Sequence, residues 1–300
     1  MSLERSRSAR RIGVMFHRDL PPEELVPFAR EIDASGADDI WVVEDLGWSG
    51  SIAAAATVLS ATERVRVCIG IVPAPLRNPA LLAMELATLA RLHPGRLLVG
   101  IGHGVQEWMA QVGVKAASPL ALLEETIVAV RGLLAGETVR LDGRAVHIDG
   151  VSLVHPPAVV PPIVAGVVKP KSLELSGRAA DGTIIIEGRR PQDVREAWAH
   201  IERGRAAAGA QRPHELVAIT HLYVDDDPVR TQDVMRPYID EFAEFLGVEK
   251  ADVNVAAGTP ESVAETVEAF WDAGATTVMF HPVGDDPVRS VKRALAALGR

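Results

Sequence analysis

Eight short apolar runs, each followed by a stretch of helical periodicity, predict an α/β fold of the (β/α)8-barrel type. The runs lack polar alternation, as strands buried on both faces do. The chain has 300 residues, which suits one such barrel of roughly 250 residues plus an insertion.

Ile12 to Phe16 is the first predicted strand. Leu25, Phe28 and Ile32 then form the stripe of the first helix, closed by Gly36 at a C′ position. Ile40 to Val43 is the second strand, and Ala53 to Leu59 lies in the second helix. Val65 to Val72 is the third strand. Asn78 and Pro79 read as the N-cap and first-turn proline of a helix through Leu92. Leu97 to Ile101 is the fourth strand. The helical sequence after it breaks near Ser118 and Pro119 and resumes through Leu134.

Between strands four and five the rhythm changes. Thr138 to Leu141 and Ala145 to Ile148 flank Asp142-Gly143, which predicts a hairpin with a two-residue turn. With the Pro-rich run from His155 to Pro162 it reads as an insertion in the barrel. Ile163 to Ala165 is strand five and Lys171 to Ala180 its helix; Thr183 to Ile186 is strand six and Pro191 to Ala208 its helix. Leu216 to Val224 is strand seven, and Arg230 to Leu246 is helical. Thr259-Pro260 opens a helix with Val263, Val267 and Phe270 on one face. Thr277 to Phe280 is strand eight, and Val288 to Leu298 the closing helix. The expected organisation is a flexible tail over residues 1–10 and one barrel domain over 11–300.

Composition narrows the function classes. The 31 Lys and Arg against 40 Asp and Glu leave a net charge of −9, which argues against nucleic acid or an anionic membrane as partner. No run approaches the roughly 18 apolar residues of a membrane span. Cys68 is the one cysteine, so no internal disulfide forms, consistent with a cytoplasmic protein.

Barrel active sites lie at the C-terminal ends of the strands. There the sequence places His17, Glu44, Asp45, His103, Glu187, Arg189, His221 and His281, an acid/base-capable mouth. A zinc hydrolase is the metal alternative. Strand one offers only His17 followed by Arg18, and no local ligand spacing supports it, so no metal is expected. A nucleophile elbow is absent. The glycines of Gly100-Ile-Gly102-His-Gly104 let backbone approach a planar ring or an anion. The segment from Ala165 to Ser172 leads into a helix and carries Lys169, Lys171 and Ser172, donors suited to a phosphate. Trp41 is expected in the core, and Trp48 as a wall of a pocket.

These segments resemble the bacterial luciferase-like flavin-dependent oxidoreductases, in particular their deazaflavin-dependent branch, which includes methylenetetrahydromethanopterin reductase. The resemblance runs from Arg11 to the last helix. It is most specific over Gly70-Ile-Val-Pro-Ala-Pro-Leu-Arg-Asn-Pro79 and Gly95 to Gly104, with further matches over Pro161 to Gly182 and from Gly258 onward. It implies an oxidoreductase that transfers a hydride between coenzyme F-420 and a small organic substrate, in a homodimer. By it, Gly70-Ile71 forms a bulge with a non-proline cis peptide behind the ring. Phe16, Gly102 and Gly104 line the cofactor, and Val167, Val168 and Lys169 meet its phosphate. Relatives often carry Asp-His after strand two, where this chain reads Glu44-Asp45. The catalytic candidates are therefore Glu44 at the ring edge, with Asp45 or His103 exchanging a proton. Two alternatives share the pocket: an FMN-dependent monooxygenase using oxygen, and a non-catalytic flavin-binding barrel.

Overall fold

Side-chain alternation along the strands divides the apolar residues between two cores. In the computed structural model, which describes residues 10–300, the strands are β1 (Arg11–Met15), β2 (Asp39–Val42), β3 (Arg66–Pro73), β4 (Leu97–Gly102), β5 (Val139–Asp142), β6 (His147–Val151), β7 (Ile163–Gly166), β8 (Gly182–Ile185), β9 (Glu215–Val224), β10 (Ala256–Gly258) and β11 (Thr277–Pro282). Eight of them close a parallel ring in the order β1-β2-β3-β4-β7-β8-β9-β11. Pairing of Arg11 with Thr277 and of Gly182 with Glu215 completes it. The helices α1 (Leu25–Asp33), α2 (Ser51–Ala61), α3 (Pro79–Leu92), α4 (Gln106–Gln111), α5 (Pro119–Leu134), α6 (Pro170–Ala179), α7 (Pro191–Ala207), α8 (Pro228–Leu246), α9 (Pro260–Asp272) and α10 (Pro287–Ala297) connect them.

Successive strand residues point to opposite faces. On β1, Ile12 and Val14 face the helices, whereas Met15 faces the barrel axis. Within the barrel Met15, Trp41, Cys68, Leu98, Val164, Ile184, Val217, Ile219 and Met279 form a closed apolar plug. Trp41 is fully buried, as expected, and a Cβ on Gly13 would lie 2.4 Å from its Nε1. The outer core fills the space between strands and helices. Asn78 caps α3 by accepting from the Ala80 amide at 2.9 Å, and Leu82 and Leu86 on its inner face are fully buried. Burial of each such side chain contributes about 1.5–3 kcal/mol.

The N-terminal end of the barrel is closed by charge. Arg66 bonds both Asp39 oxygens at 2.9 Å and both Glu215 oxygens at 2.7 and 2.9 Å. Arg11 adds a 2.5 Å bond to Asp39, and Thr277 donates to Glu215 at 2.7 Å. Chemistry is thereby confined to the opposite, C-terminal mouth.

Two expectations are corrected, and one strand is added. Arg10, placed in the tail, instead reaches Glu268 at 2.5 Å and Asp272 at 3.0 Å, and lies over the Trp271 ring; residues 1–9 lie outside the described residues. The hairpin turns at Arg144-Ala145, not at Asp142-Gly143, because Asp142 pairs with His147 and the Gly143 amide donates to Val146. The Glu125 carboxylate takes the amides of Arg144, Ala145 and Val146 at 2.8 Å each, so α5 dictates the turn. A Cβ on Gly143 would fall 2.5 Å from that carboxylate, which is why glycine stands there. Finally, β10 pairs with β9 outside the ring; at three residues it is too short to leave a sequence signal. Among the described residues no helix is long and apolar enough to cross a membrane.

Candidate active site

The alternation that fills the barrel also selects which residues reach its mouth. Arg11, Gly13, Met15 and His17 share the inward register of β1, and Phe16 does not. Phe16, expected among the cofactor contacts, packs edge-on against Phe28 of α1 at 5.3 Å in the outer core. On β2, Asp39 and Trp41 face inward, and Glu44 and Asp45 follow the strand in the loop that leads to α2.

Glu44 is consumed by structure. One carboxylate oxygen accepts from the Arg77 guanidinium, and the other accepts from the Ser51 amide at 3.0 Å and its hydroxyl at 2.5 Å. It thereby ties the β2 loop to the first turn of α2 and to the loop after β3. Arg77 was not anticipated, since it follows a strand end by four residues. Asp45 forms a 2.6 Å ion pair with Arg18, whose guanidinium covers the Trp48 ring at 4.7 Å. Trp48 donates to Asp19 at 2.9 Å and stands 6.2 Å from Trp108, walling one side of the mouth.

The adjoining wall, on β3, β4 and β7, is built on glycine. The β3–β4 register shifts between Ile69 and Val72, a bulge, and the Gly70–Ile71 peptide is cis. The Ile71 side chain lies on the bare backbones of β4 and β7. A Cβ on Gly102 would come 2.9 Å from Ile71 Cδ1, and one on Gly166 2.6 Å from Ile71 Cγ2. Gly104 takes a left-handed φ of +68°, with space for its missing Cβ closed by Pro73 and Met109. The result is a flat, side-chain-poor surface with Ile71 as its floor.

The loop after β7 leads into α6. Val167 is buried, Val168 is 40% exposed, and Lys169 is the N-cap of α6 with Pro170 behind it. His103 reaches this helix rather than the barrel axis: its Nε2 lies 3.1 Å from Ser172 Oγ. Burial, with Lys169 nearby, pushes the His103 pKa below the usual imidazole value, so the ring is neutral at physiological pH.

Facing this surface, the strands β8, β9, β11 and β1 present a wall of imidazoles. The His281 ring stacks on His221 at 4.7 Å and lies 4.8 Å from His17. Tyr238 and Phe242 of α8 pack behind His221. Glu187 Oε1 lies 3.1 Å from His281 Nδ1. Burial favours the protonated acid, but the His281 hydrogen bond and charge outweigh it and hold the Glu187 carboxyl below its ordinary value. Burial and the adjacent His281 push His221 down to about 3. In His17, Nδ1 accepts from the Asp19 amide at 3.2 Å, which leaves the ring proton on Nε2. β4 and β11 are four positions apart in the eight-membered ring. The His103 side and the His281 side therefore face one another across the mouth. His17, His221 and His281 were legible from the strands that carry them; the turn of His103 to α6 and the Glu187–His281 pairing were not.

A (β/α)8 barrel with a glycine-lined face opposed by acid/base groups is the class this architecture defines. The chain belongs to the luciferase-like monooxygenase family, whose profile matches residues 8–277. It is 24% identical over 318 residues to the 5,10-methylenetetrahydromethanopterin reductase of Methanolobus tindarius, covering 93% of this chain and 97% of that one. Among solved structures, the coenzyme F-420-dependent tetrahydromethanopterin reductase from Methanopyrus kandleri superposes with a TM-score of 0.84 at 18% identity, covering 95% of this chain and 97% of that one. An F-420-dependent secondary alcohol dehydrogenase in complex with an F-420–acetone adduct gives 0.84 at 20% identity, covering 97% and 99%.

Proposed function

We propose that the protein transfers a hydride between coenzyme F-420 and a small organic substrate. The observation that carries this reading is the Ile71 side chain seated on the bare backbones of Gly102 and Gly166, which offers a planar ring one apolar floor. The names printed for the reductase and dehydrogenase relatives support the same cofactor. When bound, the deazaflavin supplies the two-electron chemistry. Gly70, Ile71, Gly102 and Gly104 would hold its ring. Val167, Val168 and Lys169 would meet its phosphate at the N-terminus of α6, where the Lys169 ammonium adds charge. His103, through Ser172, keeps that loop and β4 in fixed relation.

Asp45 is the best placed of the expected catalytic groups, being in the loop after β2, partly open and paired with Arg18 beside Trp48. It would exchange a proton with the substrate, released from or returned to the Arg18 ion pair. Glu44 would act by positioning, through Arg77 and Ser51. His17 would offer Nε2–H to a substrate oxygen. A cytoplasmic homodimer belongs to this reading; Leu81, Met84 and Leu92, exposed along α3, support an apolar face for a second copy.

The test is a fluorescence titration of the apoprotein with F-420 and with FMN. Tight F-420 binding and weak FMN binding are expected. The reverse preference moves the reading to an oxygen-using FMN monooxygenase, and binding of neither overturns the cofactor assignment. A secondary alcohol and ketone panel with F-420, read by the absorbance of the cofactor, then addresses turnover.

A further inference from the structure

The ends of β8, β9 and β11 bring Glu187, His221 and His281 together, with one donor atom of each within 4.8 Å of the others. Neither Glu187, His221 nor His281 is needed to hold the cofactor in the reading above. We propose that these three residues bind a divalent transition-metal cation of the zinc class on the wall facing the cofactor surface.

The residue types are those of a three-ligand site, two imidazoles and one carboxylate, which leaves a coordination position open. Their backbones are fixed. His221 and His281 are register partners across the β9–β11 ladder, and Glu187 follows β8, which pairs with β9 on its other edge. Their polar atoms are incompletely used. His221 is 1% exposed, and its Nδ1 is buried with no partner among the described residues; His281 meets Glu187 through Nδ1, the atom a shared cation would take. A buried polar atom left so is costly, and a cation would satisfy a ring lone pair that no protein donor reaches. The carboxylate that a dication needs is already in place, 3.1 Å from His281. The expectation of no metal rested on short ligand spacings, whereas these ligands lie at 187, 221 and 281 and are joined only by the ring of strands.

The stacked rings of His221 and His281, 23° from parallel, set a condition. A cation reached by both must draw the rings out of parallel and replace the Glu187–His281 hydrogen bond by shared coordination. The open position would take an oxygen ligand, water or the oxygen of an alcohol or carbonyl compound.

The test uses the full chain, stripped with EDTA and reloaded with Zn2+ or Co2+. One metal per chain by mass spectrometry is expected, with the visible bands of four-coordinate Co2+. His221→Ala and His281→Ala should each weaken Co2+ binding by more than about tenfold, the lower bound for mere outer-shell partners of a metal site. Circular dichroism shows whether each variant is folded, and Glu187→Gln gives a third, milder test of the same site. A wild-type protein that retains no metal and shows no cobalt bands overturns the proposal. So does a His221→Ala/His281→Ala double variant that is folded and binds Co2+ as wild type does. F-420 binding on the same samples separates the two readings: metal retained without F-420 affinity fails only the cofactor assignment.

Discussion

Ile71 and Gly166 are fitted so closely that a methyl group on the glycine would come 2.6 Å from Ile71 Cγ2. The floor of the mouth exists because β7 carries no side chain at that register. Replacing Gly166 by Ala forces Ile71 toward the cavity, where the cofactor ring is expected. Gly166→Ala should weaken F-420 binding by more than about tenfold, about 1.4 kcal/mol, and destabilise the fold by about 1–3 kcal/mol through overpacking. Fluorescence titration beside urea unfolding checks both. Unchanged F-420 affinity in this variant would remove the glycine surface as the seat of the ring.

Glu44 behaves differently if its role is to fasten loops. Glu44→Gln keeps the shape but weakens charge-assisted bonds to Arg77 and Ser51. A loss of about 1.5–3 kcal/mol of stability is expected, with F-420 affinity changed by less than about threefold. Chemical denaturation and cofactor titration of the same preparation distinguish this from a ring-edge role, which would show the opposite pattern.

Much of this was legible in the strands. Eight apolar runs gave the ring, and the inward period through Arg11, Gly13, Met15 and His17 is written in β1 itself. The same count places Phe16 in the outer core, whereas Glu44 lies beyond β2, where alternation assigns no face. Other relationships have no local signature. Glu187 and His281 are 94 residues apart and meet only because β8, β9 and β11 are consecutive in the ring. Glu125 overrides the turn preference of Asp142-Gly143 from a helix about twenty residues upstream. Where strand register decides, sequence suffices; where a long-range polar partner decides, it does not.

The charged base of the barrel should matter for stability and not for chemistry. Asp39 is fully buried and shared by Arg11 and Arg66. Asp39→Ala leaves two guanidinium groups against Glu215 alone, and removal of one partner from a buried network costs about 3–5 kcal/mol. Urea unfolding at neutral pH measures this directly. A cost below about 1 kcal/mol would mean that water or Glu215 takes over the pairing.

Stability should fall as pH drops below the usual imidazole range, and His214 supplies a defined share. Its Nε2 lies 2.8 Å from Thr183 Oγ1, in a buried chain with Ser176. Burial, then the charges of Arg205 and Arg212, push its pKa down to about 3. The unfolded chain protonates this ring near 6.5, a step the folded state resists until about pH 3. Below pH 6.5 the unfolded state therefore binds the extra proton, and folding stability declines toward pH 3. The slope for one such group is about 1.4 kcal/mol per pH unit. Asp33 acts in the same sense further down: burial is outweighed by amides of Glu63, Val65 and Arg64, which hold its carboxyl below its ordinary value. Its stabilisation is present above the unfolded carboxyl pKa and is lost as pH falls through the lowered one. Urea midpoints of wild type and His214→Gln between pH 7 and 5 isolate the histidine. The variant should be less stable at pH 7 but lose less stability on acidification. Parallel curves for the two proteins would show that His214 does not resist protonation in the folded state.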